Sequence, residues 1–359
     1  MRYFLWISVL LLLVLEPVYA ALPDSVENLL DHDALSLLED AGADENGTPG
    51  LLKGLSILWE RGGGLLADAV RESLRGGVLL LVIVLLCAMV QDCLLASGQK
   101  DFSGMTVVAG GLCITWVTVG DLQSLMGLGV QTIGELEVFS RALLPTLGAA
   151  VAAGGGIVSA GVRQVASVFF TDILILLIRG TLVPLVYVYV TATAADLLLP
   201  GRQLRAVAKG INKVTVWLLS GILVVYTSYL MLAGTAAGTA DSMSARLTRA
   251  AMGTVPVVGR IIADAAETVL TGAAAVKNAV GIAGLLAVLA ICLAPFIRLA
   301  VQYLLYKLVS LLAGMVGPPS LVELIDALGG AFGLVLGMAA ACGVMVIVSL
   351  MGSVMAVSI

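Results

Sequence analysis

Between residues 77 and 96 the chain reads GVLLLVIVLLCAMVQDCLLA, about 20 residues with one charge, Asp92. At a rise of about 1.5 Å per residue, a helix of this length crosses the roughly 30 Å hydrocarbon core of a bilayer. No water is present there to satisfy backbone N–H and C=O groups, so such a run must bond within itself as a helix. Comparable apolar runs recur at 104–120, 214–233, 280–297, 299–316 and within 331–351. The whole chain is 60% hydrophobic and only 12% charged, whereas a soluble domain carries about 25% charge. Its 41 glycines, many inside the apolar runs, point to helices in close approach, because small residues let backbones touch where lipid supplies no hydrophobic drive. The expected fold class is all-α: a polytopic integral membrane bundle of seven to nine transmembrane helices, with amphipathic or re-entrant helices on the outer side.

Charge placement gives the expected orientation. Residues 1–20 have Arg2, an apolar core and a small-residue exit ending at Ala20, the pattern of a secretory signal peptide. An extracytoplasmic segment, 21–76, follows. Up to residue 52 it carries Asp24, Glu27, Asp31, Asp33, Glu39, Asp40, Asp44 and Glu45 without a lysine or arginine, and 51–75 reads as an amphipathic helix on the outer face. The multi-pass domain occupies 77–359. Within it, Arg202, Arg205, Lys209 and Lys213 mark a cytoplasmic loop. Stretches 143–162, 165–178 and 181–199 are candidate crossings ahead of that loop, and the first can instead be a re-entrant hairpin. The pair Pro318-Pro319 and the acidic segment with Glu323 and Asp326 are expected outside. These assignments give an outer N-terminus and a cytoplasmic C-terminus.

No hydrolytic or nucleotide motif is present: there is no HExxH and no GxxxxGK[ST]. The five cysteines sit in apolar stretches without a CxxC pair, and the single histidine, His32, has no second ligand near it. The expectation is therefore no catalytic site, no cofactor and no metal. The polar residues inside apolar runs are a better lead, since a charge in hydrocarbon must be paired or face a cavity. Asp172 and Arg179 lie two helical turns apart on one face, too far for a direct bond unless their side chains reach toward each other, and Asp196 sits near the basic loop. Another stripe is formed by Arg260, Asp264, Glu267, Thr271 and Asn278, which fall along one face of a helix starting after Pro256. It is either the solvated edge of an interfacial helix or a pore-lining or partner-facing surface. Pro295 is expected to interrupt the span that follows.

The segment VPVVGRIIADAAETVLTG, the following VKNAVGIAGLLAV and the upstream SRALLPTLGAAVAAGGGIVSAG, in this order behind a secretory leader, resemble the stage III sporulation protein AE family of endospore-forming bacteria. The resemblance covers nearly the whole chain after the leader. It implies a non-enzymatic membrane component of the secretion-like channel complex between mother cell and forespore, in the mother-cell membrane that surrounds the forespore. The implied partners are the other stage III sporulation A proteins and stage II sporulation protein Q, besides the lipid bilayer. Nothing suggests a nucleic-acid footprint. The alternative class is a secondary transporter for a small solute. In its favour, Pro145 to Pro184 and Pro256 to Pro295 span the same interval, which leaves open a degenerate duplication or the ordinary frequency of proline in membrane helices.

Overall fold

The computed structural model describes residues 51–97, 103–153, 157–196, 204–252 and 258–355, with side chains over the same segments apart from 233–278 and a few other positions. Every regular element among them is helical. Helix α1 is Leu51–Ala96 and α2 is Ser103–Ala153. Helix α3, Ile157–Leu177, passes through a π turn, Ile178–Leu182, into α4, Val183–Ala195. Then come α5, Leu204–Met252, α6, Val258–Ala313, and α7, Pro319–Met355. Six helical stretches among the described residues are long and apolar enough to cross a membrane: Lys53–Leu94, Gly104–Ala152, Gln164–Ala195, Ala206–Leu232, Ala279–Ala313 and Pro319–Gly352.

The all-helical membrane class is as expected, and the lower count has a physical cause: stretches separated in the sequence by polar or proline positions join into single helices. The amphipathic stretch 51–75 and the run from 77 form one helix. Residues 104–120 continue through the charged 121–141 to Ala153. The expected spans 280–297 and 299–316 join in α6, which continues through Pro295 and ends at Ala313, so that proline does not interrupt it. Proline removes one N–H and leaves a carbonyl without its intrahelical donor, yet Pro295 is buried among the packed helices that enforce the path. Likewise 165–178 and 181–199 join across the π turn. Pro184 cannot donate to the carbonyl four residues back, and just before it the Val183 N–H bonds to the Ile178 carbonyl, a step of five residues. Stretch 143–162 holds the end of α2 and the start of α3, where Gly148 faces the Gln164 amide.

Cross-contacts fix an alternating up-and-down bundle. Tyr306 of α6 donates to Thr118 of α2 at 3.1 Å, and Tyr189 of α4 donates to the Ala327 carbonyl of α7 at 2.9 Å. The α6–α7 hairpin lies at the centre, flanked by α1, α2 and α5. Gly314 and Gly317 close α6, the Gly317 N–H bonding to the Ala313 carbonyl at 2.7 Å, and Pro319 opens α7 at a position where its missing N–H costs nothing. A Cβ on Gly329 would stand 2.9 Å from the Cβ of Tyr306, so this glycine permits the close crossing beneath the Tyr306–Phe332 ring pair, whose centroids are 5.0 Å apart.

One topological expectation changes. The Tyr189–Ala327 bond and the Lys307–Asp326 pair place the α6–α7 turn and its acidic segment at the end of the bundle where α4 finishes and α5 begins. The sequence assigned them to opposite sides of the membrane. At the other end, Gly54 lies against Leu286, and Gly284 lies against Leu350, so α1 begins at the level where α7 finishes. Among the described residues, the start of α1 and the end of α7 therefore share one end of the bundle.

Candidate functional site

Asp172 and Arg179 do not bond to each other. They are joined through two residues of α2. Arg141 Nη2 donates to Asp172 Oδ1 at 2.5 Å, the same nitrogen lies 3.0 Å from Glu137 Oε1, and Glu137 Oε2 lies 3.9 Å from Arg179 Nη2. The result is a ladder, Asp172–Arg141–Glu137–Arg179, laid across the antiparallel crossing of α2 and α3. The local sequence explains each position. Glu137 precedes Arg141 by four residues, the spacing at which helix side chains of opposite charge meet in the favourable order. Arg179 lies in the π turn, and such widened turns recur at functional positions in helices. Its guanidinium passes over Gly134, where a Cβ would come within 2.9 Å of Nη2.

Two carboxylates and two guanidiniums leave the ladder with no formal charge. Glu137, which touches both arginines, is the least exposed at 16%, while Arg141, Asp172 and Arg179 are 54%, 48% and 49% exposed. All four lie within helices apolar enough to cross a membrane. A charge facing hydrocarbon costs up to about 2.5–3.5 kcal/mol on permissive scales, so charges on such helices are held where they are paired or meet water or a polar surface. Pairing reduces that cost, and the half-exposed side of the ladder calls for water or a polar surface beyond it.

The second stripe, Arg260, Asp264, Glu267, Thr271 and Asn278, falls within the helical backbone of α6, and its side chains lie outside the described residues. Asp196, the third charge flagged within an apolar run, closes α4 as its C-terminal cap residue. Sequence reasoning did not single out Glu137 and Arg141 as partners of Asp172 and Arg179. The signal was the four-residue spacing of Glu137 and Arg141 behind a glycine. Among the described residues, no three of His, Cys, Asp and Glu gather where they could hold a metal ion. The signal peptide, 1–20, and the N-terminal acidic stretch up to residue 50, with His32, lie outside the described residues.

Residues 56–357 match the family model of stage III sporulation protein AE, a stretch that contains the ladder and nearly all of the six apolar helices. The chain belongs to this family. Among characterised proteins it is similar to stage III sporulation protein AE of Bacillus subtilis (strain 168), 24% identical over 259 residues. That alignment covers 71% of this chain and 65% of the relative, so the chain spans just under two thirds of that protein's length. No solved structure matches. The resemblance read from the three sequence segments is thus borne out at family level, and the family match includes both helices that carry the ladder.

Proposed function

We propose that this member of the stage III sporulation protein AE family is a non-enzymatic, multi-pass subunit of the channel complex joining mother cell to forespore, resident in the mother-cell membrane around the forespore. The observation that carries this reading is the family match across 56–357, which takes in the membrane bundle almost whole. The bundle supports it physically. Glycine-mediated helix packing builds a rigid membrane subunit, and the neutral but half-exposed ladder gives it a polar face toward a neighbouring subunit or an aqueous path. The other stage III sporulation A proteins and stage II sporulation protein Q are the partners this role calls for.

With the basic loop around Arg202 in the cytoplasm, the turns between α1 and α2, α4 and α5, and α6 and α7 all lie inside. The start of α1 and the end of α7 then lie outside. Single cysteines at His32 and Ser353 should be labelled by an impermeant thiol reagent in intact cells, and one at Gln203 only after lysis. Labelling of Gln203 in intact cells would reverse the orientation. For the role itself, Asp172→Ala combined with Arg179→Ala in the sporulating host should block late forespore gene expression while the protein accumulates normally in the membrane. Unchanged forespore expression would remove the ladder from the function.

A further inference from the structure

Between α1, α2 and α6 the bundle opens into a cleft of about 700 Å³, within the size range of small-molecule sites. Arg75 and Glu72 enter it from α1, Asp121 from α2, and Arg298 and Gln302 from α6. The buried Gln302 donates from Nε2 to Asp121 Oδ2 at 3.2 Å and fixes that carboxylate on the wall. Glu72, Arg75 and Arg298 form no ion pair or hydrogen bond with any described residue, in contrast to the closed ladder on the α2–α3 face.

The cleft also has an apolar flank with a direction. From Arg75 helix α1 runs toward the α1–α2 turn, and α2 returns from that turn to Asp121. Along this stretch Val78, Val82 and Leu86 of α1 and Leu112 and Trp116 of α2 are exposed. Two guanidiniums and two carboxylates thus stand together at one end of an exposed apolar stretch that, from Val78 to Leu86 at about 1.5 Å per residue, runs roughly 12 Å, close to the depth of one leaflet of a bilayer core.

We propose that this cleft binds the headgroup of a phospholipid that carries both a phosphate and a primary ammonium, phosphatidylethanolamine, with the acyl chains lying along the exposed α1 and α2 surface. The guanidinium forks of Arg75 and Arg298 suit the phosphate oxygens. Glu72 and the free lone pairs of Asp121 accept from the ammonium, which has three donors. A purely anionic headgroup such as phosphatidylglycerol sets both carboxylates against its phosphate, and a trimethylated headgroup such as phosphatidylcholine offers them no N–H. The balance of charges in the cleft therefore selects among lipids and does more than attract anions.

Native mass spectrometry of the delipidated full chain tests this, titrating phosphatidylethanolamine, phosphatidylglycerol and phosphatidylcholine of matched chains, and inorganic phosphate separately. Phosphatidylethanolamine should be retained at about tenfold lower concentration than the other two lipids, the scale of one charge-assisted hydrogen bond. Arg75→Gln with Arg298→Gln should abolish retention of all three. Glu72→Gln, at an exposed side chain that makes no hydrogen bond or ion pair with the described residues, should remove only the preference for phosphatidylethanolamine. Equal retention of the three lipids, a preference that survives Glu72→Gln, or displacement of the lipid by millimolar inorganic phosphate would each overturn the proposal.

Discussion

The α6–α7 hairpin and the α2–α3 crossing are both antiparallel helix pairs, yet they are held together in opposite ways. In α6 and α7 the most apolar windows are 50% and 61% buried, and the contacts are glycine against aromatic, Gly329 on Tyr306 and Gly333 on Tyr303. In α2 and α3–α4 the corresponding windows are 28% and 39% buried, and an ion-pair ladder ties the helices on their open side. Helices surrounded by protein gain from close packing, for which small residues suffice. A crossing at the rim keeps one face outward, and placing charges there makes that face unsuited to lipid alone. The centre therefore rests on close apolar packing, while the rim carries a charged, half-exposed face.

Breaking the centre should have the largest effect. Gly329→Val places side-chain carbon against Tyr306 Cβ, which is fixed by its own backbone and cannot swing away. Overpacking of this kind costs about 3 kcal/mol at the upper end of its usual range. Thermal unfolding in detergent should show a clear drop in Tm, and an unchanged Tm would mean that α6 and α7 do not cross as closely as described. Next comes Glu137→Gln, which removes the carboxylate shared by two arginines. The expected loss is about 1–2 kcal/mol, the scale of a charge-assisted hydrogen bond, since Arg141 keeps Asp172 and both arginines left behind are about half exposed. Smaller again is the Arg141–Asp172 pair. Both side chains are about half exposed, so a double-mutant cycle with alanine should give a coupling of about 0.5 kcal/mol, in line with solvent-screened pairs. A coupling several times larger would show that a low-dielectric environment covers this face.

The contrast between centre and rim was only partly legible in the sequence. Membrane class, helical content and family could be read because apolar runs and segment order are local properties. Helix number could not. Whether Pro295, Pro184 or the charges at 121–141 end a helix is decided by neighbours distant in sequence, and here packing carried the helices through all of them. The ladder was half visible for the same reason. Asp172 and Arg179 stand out as charges in an apolar run, whereas Glu137 and Arg141 look like ordinary members of an amphipathic stretch until α3 is laid across them. The cleft was invisible, since Glu72, Asp121 and Arg298 come from three helices and share no local pattern.

The smallest effect on stability should come from Gly134→Ala, and it separates the two roles most cleanly. Alanine favours an interior helix position over glycine by roughly 0.8–1 kcal/mol. Against that gain, the new methyl meets only Arg179 Nη2, the far end of a flexible side chain that can move aside at little cost. The net change in stability should be within about 0.5 kcal/mol. Moving the guanidinium, however, opens the 3.9 Å contact with Glu137 and detaches the last rung of the ladder while every charge remains. If the arrangement of those charges matters to a neighbouring subunit or a hydrated path, forespore gene expression should fall in this variant although Tm and membrane abundance do not. If expression is retained, the charges act only by being present, and their geometry across the α2–α3 crossing serves the fold.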